Sequence, residues 1–187
     1  MEPSDEALCE RVARRDEAAF DLLVSRYQER AYRLAWSILR NSEDARDVSQ
    51  EAFIRLFEAA GSFRGRSKFS TWFYRILVNL CLDHKRKHRW WKLWARDDDE
   101  RTEPLLERQP APVTDPIDKL SRERTMKELG TAVDRLAPRQ RAAVLLKVQE
   151  DMATYDIARV LKCSEATVRV HLHRAMTTLR KTMKEKR

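Results

Sequence analysis

Only three glycines and six prolines occur in 187 residues, and no alternating run of Val, Ile or Thr is present. A chain so poor in turn residues and in two-residue periodicity does not read as a sheet protein. Its three cysteines, Cys9, Cys81 and Cys163, are an odd number at wide spacing, so no disulfide framework is implied. No uncharged apolar stretch approaches the ~20 residues of a membrane span. The acidic, polar start MEPSDE has no signal-peptide character, and a cytoplasmic protein with no membrane insertion is expected. A phosphate-binding glycine loop, a Ser/His/Asp set and a paired-carboxylate constellation are also missing, so catalysis is not expected. What is abundant is charge: 38 Lys and Arg against 30 Asp and Glu, for a net +8, beside 42% hydrophobic residues. That balance suits an all-α protein of one domain or two small ones, with nucleic acid as a plausible partner, although basic surfaces also serve solubility.

The most informative stretch is Phe69 to Trp91, FSTWFYRILVNLCLDHKRKHRWW. At about 100° per residue, Phe69, Phe73, Ile76, Leu77 and Leu80 share one side of a helix and form a stripe wide enough to bury. Arg75, Asn79, Asp83, Arg86 and Trp90 gather within roughly 60° on the other side. An amide, a carboxylate, guanidiniums and an indole are a set suited to reading or stacking on bases, whereas a plain solvated face is dominated by Glu and Lys.

Around this helix the chain divides. A short helix is expected from Asp5 to about Arg15, with Leu8 and Val12 on one side. Asp16 caps the next, in which Phe20, Leu23, Val24, Tyr27, Ala31, Leu34, Ala35 and Ile38 keep three-and-four spacing to Arg40. A third helix follows the break at Asn41 and Ser42. It turns Val48, Ala52, Leu56 and Ala60 inward and leaves Asp44, Asp47, Gln50, Glu51 and Arg55 outside, as solvated surface or as a face for a basic partner helix. Gly61 is expected to end it, and the basic loop to Ser70 leads to a cap at Ser70 or Thr71. That loop, with its aromatics, is either ordinary surface or a seat for phosphate and an unstacked base.

Charge then reverses. Lys85 to Arg96 carries six basic and no acidic side chains, whereas Asp97 to Asp118 carries eight acidic residues, two arginines and four prolines. The expected organisation is a first domain over 1–95, a flexible acidic linker over 96–116 and a second domain over 117–187. The second domain opens with an amphipathic helix carrying Ile117, Leu120, Met126, Leu129 and Val133. Pro138 starts another, with Ala142, Val144, Leu145, Leu146 and Val148 apolar. Thr154 to Leu161, the turn Lys162-Cys163-Ser164 and a helix from Glu165 to Met183 then form a helix-turn-helix, with Ile157, Ala158, Leu161, Val168 and Leu172 as mutual core. Its longer helix exposes Arg169, Val170, His171, His173 and Arg174. From Arg139 onward twelve basic and five acidic residues leave +7, which favours DNA contact.

Four segments in this order, AAFDLLVSRYQERAYRLA (18 to 35), EDARDVSQEAFIRLF (43 to 57), FSTWFYRILVNLCLDHKRK (69 to 87) and LAPRQRAAVLLKVQEDMATYDIARVLKCSEATVRVHLHRAMTTLR (136 to 180), resemble bacterial sigma-70 family factors of the extracytoplasmic-function (ECF) group, which keep only regions two and four. The resemblance implies core RNA polymerase as partner, through the β′ clamp helices and the β flap, together with promoter DNA and an anti-sigma factor. It gives Asp44, Asp47, Gln50 and Glu51 the clamp helices to dock on. It makes Phe63, Arg64, Lys68, Ser70, Thr71, Trp72, Arg75, Asn79, Asp83 and Arg86 candidates for capturing and melting the minus-ten element. Arg169, Val170, His171, His173 and Arg174 become candidates for the minus-thirty-five element, and the linker resembles a segment that threads polymerase channels.

Glycine is usual in the family where this chain has Asp151, Lys162 and Ala166, so the helix-turn-helix needs non-glycine geometry, at about 1 kcal/mol for each left-handed residue. A small polar residue is common where Val170 stands, which bears on base preference there. Two rival readings come from the residues. Cys81, His84 and His88 lie within about 60° on one helix and could share a divalent metal, but they flank the apolar stripe without a fourth ligand, so no metal and no cofactor is expected. A stand-alone operator-binding regulator would use the second domain only, and would bind duplex DNA without polymerase.

Overall fold

Ser4 opens the first helix. Its hydroxyl accepts the Ala7 N–H at 3.2 Å, and Asp5 and Glu6 place negative charge in the first turn, where helix N–H groups lack partners. This helix, α1, spans Asp5–Ala13 in the computed structural model, which describes residues 2–94 and 130–184. Asp16 caps α2 (Glu17–Leu39) by accepting the Ala19 N–H at 3.0 Å, and its other carboxylate oxygen takes Arg11 Nε at 2.9 Å. Arg40, left-handed at φ +61°, ends that helix. Asn41, rather than Ser42, caps α3 (Ser42–Ala59), since its side chain is the one that accepts the Asp44 N–H. Gly61 does not stop α3. A single 3-10 turn at Ala60–Ser62 carries the chain past it, and Gly65, at φ +65°, supplies the left-handed residue of the loop.

The central helix, α4, spans Phe69–Trp94. Neither Ser70 nor Thr71 caps it, because both lie in its first turn. The Phe69 N–H instead donates to Glu6 Oε1 of α1 at 2.9 Å, so a carboxylate 63 positions away satisfies the helix start. Phe69, Phe73 and Leu77 are wholly buried, while Ile76 and Leu80 are half-buried at the stripe's margin. The Tyr27 ring of α2 meets Phe69 and Phe73 edge-on at 5.3 and 5.4 Å, and Phe53 of α3 lies 5.0 Å from Phe73. Rings of this kind bury ~150–250 Å² each, which at ~25 cal/mol per Å² makes the aromatic stack the main anchor of the four-helix unit.

The described part of the second half begins with helical residues 130–134. It continues with α5 (Pro138–Val148), which has proline in its first turn, then α6 (Thr154–Leu161) and α7 (Glu165–Lys184). Asp151 and Lys162 are left-handed at φ +47° and +52°, so the expected non-glycine geometry is used at both, whereas Ala166 sits inside α7. Ser164 caps α7 through the Thr167 N–H at 3.1 Å. Ile157, Ala158, Leu161 and Val168 are buried between the helices. Val148, the last of the apolar residues named on this helix, is 74% exposed at the end of α5.

The two halves pack directly on each other, and most of their buried residues join one continuous apolar cluster, while Ala132, Leu136, Ala175 and Leu179 form a smaller one within the second half. α6 lies along α4, and α5 reaches both α2 and α4. Tyr74 and Val78, outside the predicted stripe, are buried as well. The buried Arg141 guanidinium of α5 donates to the carbonyls of Val133, Asp134 and Ile38, the last belonging to the C-terminal turn of α2. Arg40 reaches back to Asp134 at 2.6 Å and to the Gly130 carbonyl at 3.1 Å. Among the described residues every regular element is helical, and none is long and apolar enough to cross a membrane. The expected linker, the residues from Ile117 to Leu129 and the side chain of Trp90 lie outside the described residues.

Candidate nucleic-acid interface

On α3, Asp47 and Gln50 are exposed, and Asp44 and Glu51 are half-exposed. Glu51 accepts from Arg55 Nε at 2.7 Å, and Asp44 lies 3.4 Å from His84 Nε2 of α4. Ile54, missing from the expected set, is 54% exposed. It follows Gln50 by four residues and Glu51 by three, so helical spacing puts it on the same face. An apolar side chain there gives a partner helix something to bury beside the carboxylates.

The second site lies between the loop after α3 and the first turns of α4, a cleft of about 420 Å³. Phe63, Arg64, Arg66, Thr71, Trp72, Arg75 and Asn79 line it, joined by Arg159 from α6. The Phe63 and Trp72 rings lie 5.4 Å apart and offer π-faces, while the guanidiniums offer charge for phosphates. Of the residues expected here, Lys68 is exposed and Ser70 half-buried outside the cleft's lining, whereas Thr71 is only 2% exposed and its hydroxyl donates to Asp156 at 3.0 Å. Asp83 and Arg86 lie further along α4, both exposed and paired with each other at 3.1 Å. Arg159 was beyond sequence reasoning, because nothing in its own helix points to a loop more than ninety positions away.

The third face is on α7. Arg169, Val170, His173 and Arg174 are exposed, and Arg169 lies 3.4 Å from Glu165 one turn back. His171 differs from the expectation: it is half-buried, and its Nδ1 is buried without a hydrogen-bond partner. It follows Val168 by three residues and precedes Ala175 by four, both wholly buried, so it sits at the core's rim. Burial, with Arg139 and Arg174 nearby, lowers its pKa and keeps it neutral at pH 7. That spacing was readable in the sequence.

The Cys81 thiol is wholly buried and pushed up to about 12, chiefly by burial, while His84 turns to Asp44 and His88 is exposed. Among the described residues no group of three His, Cys, Asp or Glu side chains is placed to hold a metal ion.

Residues 23–91, which hold α3, the first-domain lining of the cleft and most of α4, match the family described as Sigma-70 region 2, and residues 126–179 match Sigma-70, region 4. The RNA polymerase sigma-H factor of Pseudomonas aeruginosa is 34% identical, over 96% of this chain and 93% of that one. The ECF RNA polymerase sigma-E factor of Escherichia coli is 33% identical, over 92% and 90%. In fold, the chain is similar to the sigma factor RpoE of Bartonella quintana, solved with the anti-sigma factor NepR, at a TM-score of 0.71 and 20% identity over 90% of this chain and 98% of that one. With two family regions in order and relatives matched across almost their whole length, the chain belongs to the sigma-70 family, among the ECF RNA polymerase sigma factors.

Proposed function

We propose that this chain directs core RNA polymerase to promoters by dividing the task among its three faces. The face of α3, with Asp44, Asp47, Gln50, Glu51 and Ile54, docks on the β′ clamp helices, and the second domain meets the β flap. The cleft and the outer face of α4, with Phe63, Arg64, Lys68, Ser70, Thr71, Trp72, Arg75, Asn79, Asp83 and Arg86, takes the minus-ten strand and a base drawn out of the stack. Each unstacked base costs a few kcal/mol, which ring stacking and a fitted pocket return, so the duplex opens without ATP. Arg169, Val170, His173 and Arg174 read the minus-thirty-five element in the major groove. The domains run over 1–95 and 117–187 with 96–116 as linker. The protein acts by binding rather than catalysis and works in the cytoplasm. An anti-sigma factor covers its docking faces, a partnership supported by the RpoE–NepR complex.

The observation that carries this reading is the cleft: two aromatic rings and three guanidiniums around the start of a helix whose opposite side buries Phe69, Phe73 and Leu77, with a fourth guanidinium, Arg159, from α6. Transcription in vitro with purified core enzyme and a promoter library tests it. Defined start sites that need the added chain are expected, and their absence with every core subunit supplied refutes the reading.

A further inference from the structure

The residue before α4 is Lys68, whose carbonyl takes the helix's first bond, from the Trp72 N–H at 3.2 Å. A lysine side chain carries no acceptor, so it cannot cap, and the N–H groups of the first turn depend on oxygens from elsewhere. Glu6 of α1 supplies one, accepting the Phe69 N–H at 2.9 Å from 63 positions away. Its neighbour Asp5 braces the same residue from another side. Asp5 accepts from Arg26 Nη1 and from the Tyr27 hydroxyl, both at 2.6 Å, and the Tyr27 ring lies edge-on against Phe69. Phe69 is wholly buried and meets both rings of the cleft, Phe63 at 6.2 Å and Trp72 at 6.1 Å between centroids. α1 also packs on the 3-10 turn that opens the loop, and Leu8, Cys9 and Val12 anchor it in the core. This helix precedes residues 23–91, which match region 2.

From this geometry we infer that Glu6 is a positioning residue for strand capture: its bond to Phe69 fixes the first turn of α4, and with it the placement of the Trp72 ring against Phe63. The inference rests on the cleft taking the minus-ten strand. A base stacks on a ring only where the ring is held, and Trp72 is the fourth residue of α4, in the turn that frays first when its cap is lost. A local cap would fix one helix end alone. Glu6 ties that end to α1, and Asp5 and Tyr27 tie it to α2, so three helices hold one turn. Glu6 also decides where phosphate goes. The N-terminal end of a helix carries partial positive charge and draws anions, and here a carboxylate of the chain itself takes that place. Phosphates of the strand are left to Arg64, Arg66 and Arg75, whose side chains line the cleft.

The test uses holoenzyme assembled from the full chain and core polymerase. The probe is a fluorescein-labelled single strand carrying the minus-ten sequence of a start site recovered from the promoter library, read by anisotropy. A duplex carrying the minus-thirty-five sequence of the same promoter is the control. Glu6→Ala is expected to bind the single strand about five-fold more weakly, the usual weight of a side-chain cap, with unchanged affinity for the duplex and for core. Glu6→Gln keeps an acceptor for the Phe69 N–H and is expected to stay within about two-fold of wild type. Glu10→Ala, at an exposed carboxylate one turn further along α1, is expected to match wild type. A role confined to stability moves the melting temperature of Glu6→Ala but not its strand affinity well below that temperature. Folded Glu6→Ala with wild-type or tighter strand binding, an equal loss in its binding of the duplex, or a Glu6→Gln chain as weak as Glu6→Ala overturns the inference. Should Glu6→Ala not fold, as read by circular dichroism, Glu6→Asp decides alone, because it withdraws the carboxylate by one methylene. About three-fold weaker strand binding is then expected, and wild-type binding overturns the inference. If wild-type holoenzyme yields no start site, the promoter reading falls and the inference with it; start sites with unchanged strand affinity in Glu6→Ala refute the positioning role alone.

Discussion

Replacing Arg30 with Met leaves the Glu150 carboxylate, 4% exposed, with the Tyr74 hydroxyl as its remaining donor. Removing one partner of a fully buried ion pair costs ~3–5 kcal/mol, because the other charge stays desolvated. Arg30 is itself 42% exposed, so water replaces part of what it supplied, and the expected cost of R30M falls to ~2–3 kcal/mol. Glu150→Gln keeps the shape and an acceptor for Tyr74 but loses the charge-assisted bonds, at ~1–2 kcal/mol. In the double variant no charge is stranded, so the two costs do not add, and the expected coupling is ~1–2 kcal/mol. Urea titration with a donor–acceptor dye pair spanning the domains reads separation, and far-ultraviolet circular dichroism reads helix loss. With slopes of ~1–3 kcal/mol per molar urea, R30M should move the separation midpoint down by about 1 M, ahead of helix loss. Additive single costs, with coupling under ~0.5 kcal/mol, would refute the assignment of Glu150 as the buried charge that ties the domains together.

Asp47→Lys, at an exposed position, should leave the helical content unchanged and abolish capture by core polymerase in a pull-down; unchanged capture removes the α3 face from the docking site. Arg174→Ala should weaken duplex minus-thirty-five binding by ~1–3 kcal/mol if it contacts a base, whereas His171→Ala should lower stability more than affinity, measured by titration and thermal melting on the same samples. Tyr27 and Tyr74 both have raised pKa values, first from burial and then from bonds to Asp5 and Glu150. Their folded pKa values lie above the unfolded ~10, so their contribution is whole below about pH 10 and is lost as pH rises beyond it. A Y27F/Y74F chain should show a flatter alkaline stability profile, and identical profiles would contradict this. Cys9 and Cys81 are pushed up to about 11 and about 12 by burial first, so iodoacetamide at pH 8 should label half-exposed Cys163 ahead of either, as read by mass spectrometry of native protein.

Local chemistry made much of the site legible. The three-and-four spacing of Phe69, Phe73 and Leu77 marks the buried side of α4, and Asp16, Pro138 and Ser164 mark helix starts, since caps and helical faces depend on neighbours within one or two turns. His171 was misplaced although its spacing from Val168 and Ala175 was available. Thr71 and Ser70 resemble caps in sequence, but the donor at the start of α4 finds Glu6, a choice that depends on how α1 packs.

Amino-acid order alone determined the helices, their apolar faces, the acidic ridge on α3 and the basic helix-turn-helix, because each depends on short-range periodicity and charge. Tertiary structure decided that Arg159 completes the cleft, that Thr71 is engaged by Asp156, and that Glu150 is buried against Arg30 and Tyr74. Those contacts join positions some 76 to 120 residues apart, and only the docking of one helical unit on another brings such partners within hydrogen-bond reach.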